Sequence, residues 1–217
     1  MAEILSEVAQ LAVARNTIRN AILNCRQCDR HDIDECPVSF HGPAPARLMI
    51  IGDAPTEVDE ERGRTFTGAG ASWLRMALGR VGIDIDLCFL TNAVACHGEG
   101  PPTPSQLRAC GRHMGDQVRL SRPELVLTLG VNAFAATGVM KTSLASFHGH
   151  VFAPPLGPFK DTSVLATFHP SAGLRTGAEK VQSMIESDLR EAARVMAGAA
   201  PLLRASFGRG GKLVRVG

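Results

Sequence analysis

Tyrosine is absent from this 217-residue chain, tryptophan occurs once, and aromatic residues make up only 5% of it. Any aromatic ring set outside an apolar pattern is therefore conspicuous. Long apolar runs are missing too. No segment reaches the roughly 18 residues that a membrane-spanning helix needs, so no membrane role is expected. The N-terminus carries acidic residues early, at Glu3 and Glu7, and has no apolar signal core. A cytoplasmic protein is the resulting expectation. The net charge is only +2, which permits a nucleic-acid partner without arguing for one, because basic binders usually carry a stronger excess. Nothing repeats along the sequence, and its length suffices for one domain with a sizeable core. We expect a single domain over residues 1–217, and a monomer.

Cysteine is better represented, at positions Cys25, Cys28, Cys36, Cys88, Cys96 and Cys110. In a cytoplasmic protein of this size, metal or cluster ligation is a better reading of some of these than disulfides. From spacing alone, four thiolates suit iron–sulfur or zinc equally.

Hydrophobic spacing organises the rest. Ile4, Leu5, Val8, Leu11, Ala12, Ile18, Ile22 and Leu23 predict an opening helix that runs into Cys25. A polar, proline-containing loop follows over residues 26–46. Short apolar strands then alternate with helices: strands at Arg47–Gly52, Leu87–Ala95, Glu124–Gly130 and Ser163–Phe168, and helices at Gly70–Val81, Pro104–Leu120, Val131–Thr137 and Lys180–Met196. Thr103-Pro104 marks one helix start. This alternation predicts an α/β fold, a three-layer αβα sandwich around a central four-stranded parallel sheet. The basic end, about residues 204–217, is expected to be a mobile tail.

Functional groups in such sheets gather at the carboxyl ends of the strands. Here those ends are Gly52-Asp53, Asn92 with Cys96, Gly130, and His169-Pro170. An acid, an amide and an imidazole thus converge on one rim. The stretch after the first strand is unusual in itself. Five acids fall between Asp53 and Glu61, then a lone Phe66 stands between threonines, and small residues lead into a helix.

The segments "GDAPTEVDEERGRTFTGAG", "TNAVAC", "LRAC", "LVLTLG" and "TFHPSAGLR" resemble, in register, the motifs of the uracil-DNA glycosylase superfamily, and among its branches the iron–sulfur family-four members. On residues alone, Phe66 reads as a ring buried under the helix, Asn92 as a turn former and His169 as a loop histidine. The resemblance assigns them otherwise. It implies that a base leaves the DNA stack for a pocket, where Phe66 stacks on uracil beside Gly52 and Ala54. Asn92 would read the N3–H and O4 edge, and His169 would stabilise charge growing on O2. Asp53, with Asp59 as helper, would orient water and support the cation-like sugar. The other carboxylates, Glu57, Glu60 and Glu61, read as a solvated acidic loop. Ser171, Leu174 and Arg175 would wedge and grip the DNA.

By the same resemblance, Cys25, Cys28, Cys96 and Cys110 would hold a structural [4Fe–4S] cluster, with zinc as the lesser alternative, while Cys36 and Cys88 would be ordinary thiols. The implied activity is monofunctional hydrolysis of uracil from DNA that contains it, with other deaminated bases as a further expectation. The alternative reading is an inactive homologue that only binds DNA. That alternative is motivated by departures from the family pattern. Asp53 stands where the family has Glu, Thr56 where it has Gly, and Thr65 where it has Pro. His97-Gly-Glu-Gly follows Cys96 in place of Arg-Pro-Pro.

Overall fold

The structure, a computed structural model, describes residues 2–32, 37–139, 142–160, 162–175, 177–201, 203–208 and 212–216. Helix α1 (Ala2–Leu23) opens the chain. Its buried stripe is narrower than the sequence suggests. Ile22 is in the core with Leu11 and Ile18 packed against it, whereas Val8 and Val13 face solvent. A 3-10 turn (Asp29–Asp32) follows, and then β1 (Leu48–Gly52), α2 (Glu57–Glu61), α3 (Ala69–Arg80), β2 (Phe89–Asn92), α4 (Pro104–Ser121), β3 (Leu125–Leu129), α5 (Val131–Ala136) and α6 (Leu144–Phe147). The chain continues through β4 (Val151–Phe152), β5 (Ser163–Thr167), α7 (Pro170–Gly173) and α8 (Glu179–Met196) to β6 (Arg204–Phe207) and β7 (Leu213–Val216).

Every residue of β1 and β3 is buried, as expected of parallel strands covered on both faces. Alternate side chains divide between two cores. Met49, Ile51, Phe89, Val126 and Val164 face Met114, Val118 and Phe134 from α4 and α5. Leu48, Ile50, Leu127 and Leu165 face Leu74 and Leu78 of α3 and Ile185 and Leu189 of α8. The three-layer reading therefore holds. Thr103 caps α4 in a capping box with Gln106, and Pro104 sits in the first turn, as the sequence indicates.

The sheet corrects the expected strand count. It has seven strands in the order β2-β1-β3-β5-β4-β6-β7. The four predicted strands form its parallel part, and β4 then runs antiparallel to β5. The segment expected as a mobile tail supplies β6 and β7, an antiparallel pair. Burial of Ala205 and Leu213, and the packing of Phe207 against Phe152, outweigh the polar, glycine-rich composition that suggested mobility. Strands of two and four residues leave too short an alternation to recognise. Among the described residues no helix is long and apolar enough to cross a membrane.

In register, Gly52 lies beside Asn92 and Leu129 beside Thr167. The four parallel strands therefore end together, and the loops that leave them meet at one edge.

Candidate active site

At that edge a cavity of about 100 Å³ is lined by Gly52, Ala54, Phe66, Asn92, His169 and Pro170, among others. The sequence brought these groups to one rim, and the structure places them around one space. Ser171, Thr56 and Asp59 also reach its wall.

Phe66 takes a left-handed backbone, φ +64°, which costs a residue with a Cβ about 1–2 kcal/mol. Such a conformation persists only where the surroundings over-determine it, and here both flanks are pinned. On one side Thr67 donates to Asp59 Oδ1 from its N–H and its hydroxyl, each at 2.7 Å. Asp59 Oδ2 accepts the N–H and hydroxyl of Thr56, both at 2.9 Å. On the other side Thr65, only 2% exposed, accepts a hydrogen bond from Asn92 Nδ2 at 2.8 Å.

Asp59 is thus on the wall of the cavity, yet both its oxygens are committed. It closes the capping box of α2 with Thr56 and ties that helix to the Phe66 loop. Thr56, which departs from the family pattern, is one half of this clamp. The acidic stretch expected as a solvated loop begins as helix α2, and Asp59 is buried in it. We predict that Asp59→Ala, by orphaning these donors, destabilises the protein by about 3 kcal/mol. A thermal melt should show a loss of roughly 6–12 °C; an unchanged melting temperature would count against the clamp.

Asp53 follows the last residue of β1, but its carboxylate turns away from the cavity wall toward the start of α5. Oδ1 accepts the backbone N–H of Asn132 (3.1 Å) and of Ala133 (2.8 Å), and Oδ2 accepts Asn132 Nδ2 (3.0 Å). Gly130 makes room for this. It has φ +100°, and a Cβ there would lie 2.7 Å from Asp53 Oδ1. Only glycine meets both demands. Oδ2 has taken one donor and keeps capacity for a water.

His169 begins α7. The N–H of Ser171 donates to its Nδ1 (3.2 Å), and the Ser171 hydroxyl lies 2.7 Å from the same atom. An Nδ1 that accepts a backbone N–H carries no proton, so the neutral ring holds its proton on Nε2. Burial lowers the affinity of the ring for a second proton, and the nearby Asp53 carboxylate offsets this in part. The imidazole is therefore set as a neutral Nε2–H donor. Beyond it, Leu174 is 45% exposed and Arg175 is exposed as well, at the rim.

Behind His169, Thr167 at the end of β5 donates to buried Asp188 of α8 at 2.6 Å. His148 Nδ1 lies 3.0 Å from the same carboxylate oxygen, and its ring packs on Phe168. Burial raises the proton affinity of Asp188, against the opposing pull of Thr167 and His148. This network supports the strand end that carries His169. Both rings turn inward: His150 is buried and its Nδ1 faces the His148 carbonyl.

Cys25 and Cys28 follow α1, Cys96 lies beyond β2, and Cys110 is in α4. Cys96 and Cys110 are buried. Burial pushes the Cys110 thiol up, and the charges of Cys28 and Cys25 push it further, so these three share one neighbourhood. Gln106 Nε2 donates to Asp29 Oδ1 at 2.9 Å, tying the segment after Cys28 to the first turn of α4. Arg30, 3% exposed, donates to the Gly100 carbonyl at 2.6 Å, while its Nε and Nη1 have no hydrogen-bond partner. A buried cation with orphaned donors near these thiols is compatible in charge with an anionic iron–sulfur or zinc–thiolate group. Among the described residues, no three His, Cys, Asp or Glu side chains are drawn together closely enough to hold a metal ion. Cys88 is buried, and burial pushes its thiol up to about 12. Cys36 lies outside the described residues.

Thr67, Asn132, Asp188 and Arg30 were not foreseen as residues of the site, and Thr56, Thr65 and Gly130 were noted in the sequence without the roles they take here. The Thr56-x-x-Asp59 spacing just before Glu60-Glu61 is a readable capping signal. The partners of Asn92, Asp53 and Thr167 are distant in sequence, and no local pattern reveals them.

The sequence profile of the uracil DNA glycosylase superfamily matches residues 39–192. The chain is 26% identical to a type-4 uracil-DNA glycosylase of Thermotoga maritima, across 81% of this chain and 91% of that protein. It is 27% identical to the type-4 uracil-DNA glycosylase of Archaeoglobus fulgidus, across 78% and 87%. It is 31% identical to a type-5 uracil-DNA glycosylase of Thermus thermophilus, across 73% and 80%. With the profile spanning well over half of the sequence and the cavity holding the groups described above, the chain belongs to the uracil DNA glycosylase superfamily.

Proposed function

We propose that this protein hydrolyses the N-glycosidic bond of uracil in DNA, releasing the base and leaving an abasic site. The observation that carries this reading is the cavity in which the Phe66 ring, the Asn92 amide and a neutral His169 Nε2–H donor converge. A flipped uracil stacks on Phe66. Asn92 accepts from N3–H and donates to O4, a pattern that cytosine reverses. As the bond from C1′ to N1 breaks, its electron pair passes to the base, and His169 donates to O2, where the negative charge collects. Asp53 supports the positive charge left on the sugar and takes a proton from the water that adds to C1′. Leu174 fills the gap in the stack and Arg175 binds phosphate. Asp59 acts on the position of Phe66 rather than on the water.

Purified protein incubated with a uracil-containing oligonucleotide and then alkali should give strand cleavage at the uracil. Retention of the DNA with the strand intact, at high protein excess, would favour a binding protein over an enzyme.

Cys25, Cys28, Cys96 and Cys110 would hold the structural [4Fe–4S] cluster. These four residues would thereby link the end of α1 to the loop after β2 and to α4, and Arg30 would offset the negative charge of the group. The isolated protein should be brown and contain iron, and Cys110→Ala should lose both the colour and most of the iron. Colourless protein with stoichiometric zinc would overturn the cluster assignment.

A further inference from the structure

Uracil and cytosine differ in the order of donor and acceptor along the edge that Asn92 faces. An amide with its oxygen toward N3 and its nitrogen toward O4 reads uracil, and the same amide turned by half a revolution reads cytosine. Selectivity therefore depends on what holds the amide one way round.

Two neighbours bear on this. Asn92 Nδ2 donates to Thr65 Oγ1 at 2.8 Å, the single side-chain hydrogen bond of Asn92 among the described residues. Asn92 Oδ1 lies against the Cα of Gly52, where a Cβ would collide with it. Turning the amide would bring its NH2 against that Cα, where no acceptor for it is seen among the described residues, and a half-buried donor without a partner is disfavoured. In the observed orientation the oxygen accepts no hydrogen bond from the described residues, and the NH2 has one hydrogen on Thr65 and one left for O4. Thr65 is buried and immediately precedes Phe66, so its hydroxyl belongs to the same loop as the stacking ring.

We infer that Thr65 is the positioning residue that sets the orientation of the Asn92 amide and thereby the preference for uracil over cytosine. A proline at this place, as in the family pattern, has no hydroxyl to offer. This chain has thus built its own anchor for the amide. The inference rests on the proposed excision of uracil by this same cavity.

The test compares Thr65→Val, which keeps the branched shape and removes the hydroxyl, with Thr65→Ser, which keeps the hydroxyl. Release of uracil and of cytosine is measured in single turnover for the wild type and both variants. Thr65→Val should lose about tenfold in uracil release, the worth of one hydrogen bond. Its uracil-to-cytosine ratio should fall by about tenfold or more, and Thr65→Ser should restore both. A loose cavity would slow release without changing the ratio and would not be rescued by serine. An unchanged ratio in Thr65→Val, or failure of serine to restore it, overturns the inference while leaving uracil excision standing. A wild type that releases no uracil removes the functional reading itself, a result the variants do not imitate.

Discussion

His169→Ala should release uracil 10²- to 10³-fold more slowly than the wild type in single-turnover assays at neutral pH, the usual cost of removing one donor from a developing oxyanion. The fold should survive the change, since His169 caps only the four-residue helix α7, and far-UV circular dichroism is the control. The pH dependence makes the test sharper. Burial lowers the ring's proton affinity below that of a free imidazole, and a second proton would displace the Ser171 N–H from Nδ1. The neutral ring is the competent form, so activity should hold steady as pH falls through 6.5, the ordinary imidazole value, and decline only in more acidic solution. The same depression means that the folded state binds fewer protons here than the unfolded one. Stability from this group is therefore present above the unfolded value and lost as pH falls below it. A variant within about threefold of wild type at every pH would exclude His169 as the donor to the departing base.

Much of this site could be read from the sequence because strand ends are readable. Apolar runs such as Leu48–Ile51 and Leu125–Leu129 are continuous because both faces of the sheet are covered. The residue that follows such a run in a parallel sheet faces the functional edge. Asp53, Asn92 and His169 follow from that rule together with the family resemblance. What the sequence did not disclose was what each group does with its hydrogen bonds. Asp59 and Asp53 look alike as acids in one loop. Asp59 instead spends both oxygens on Thr56 and Thr67, whereas Asp53 is held by a helix that begins 78 residues later. The β6–β7 pair was missed for a different reason: its stability lies in the contact of Ala205, Phe207 and Leu213 with the sheet edge, and local composition points the other way.

Asp53→Asn should lower uracil release by at least 10²-fold, within the range of an acid–base group, with little change in stability. The amide oxygen can accept the N–H groups of Asn132 and Ala133 as Oδ1 does now. The new NH2 would face Asn132 Nδ2, and a turn of the Asn132 amide supplies an acceptor instead. The start of α5 thus stays capped, and what disappears is the charge that supports the cation-like sugar and the base for the attacking water. The loss of that charge has a second signature. Asp53 raises the proton affinity of His169, so the acid limb of the pH–rate profile should move to lower pH in Asp53→Asn. Asp53→Ala removes the cap as well as the charge, adding about 1–2 kcal/mol of instability without a matching further loss of rate. If Asp53→Asn retained near-wild-type release, the carboxylate would be no more than the cap of α5. The water would then have to be activated by a group other than Asp53.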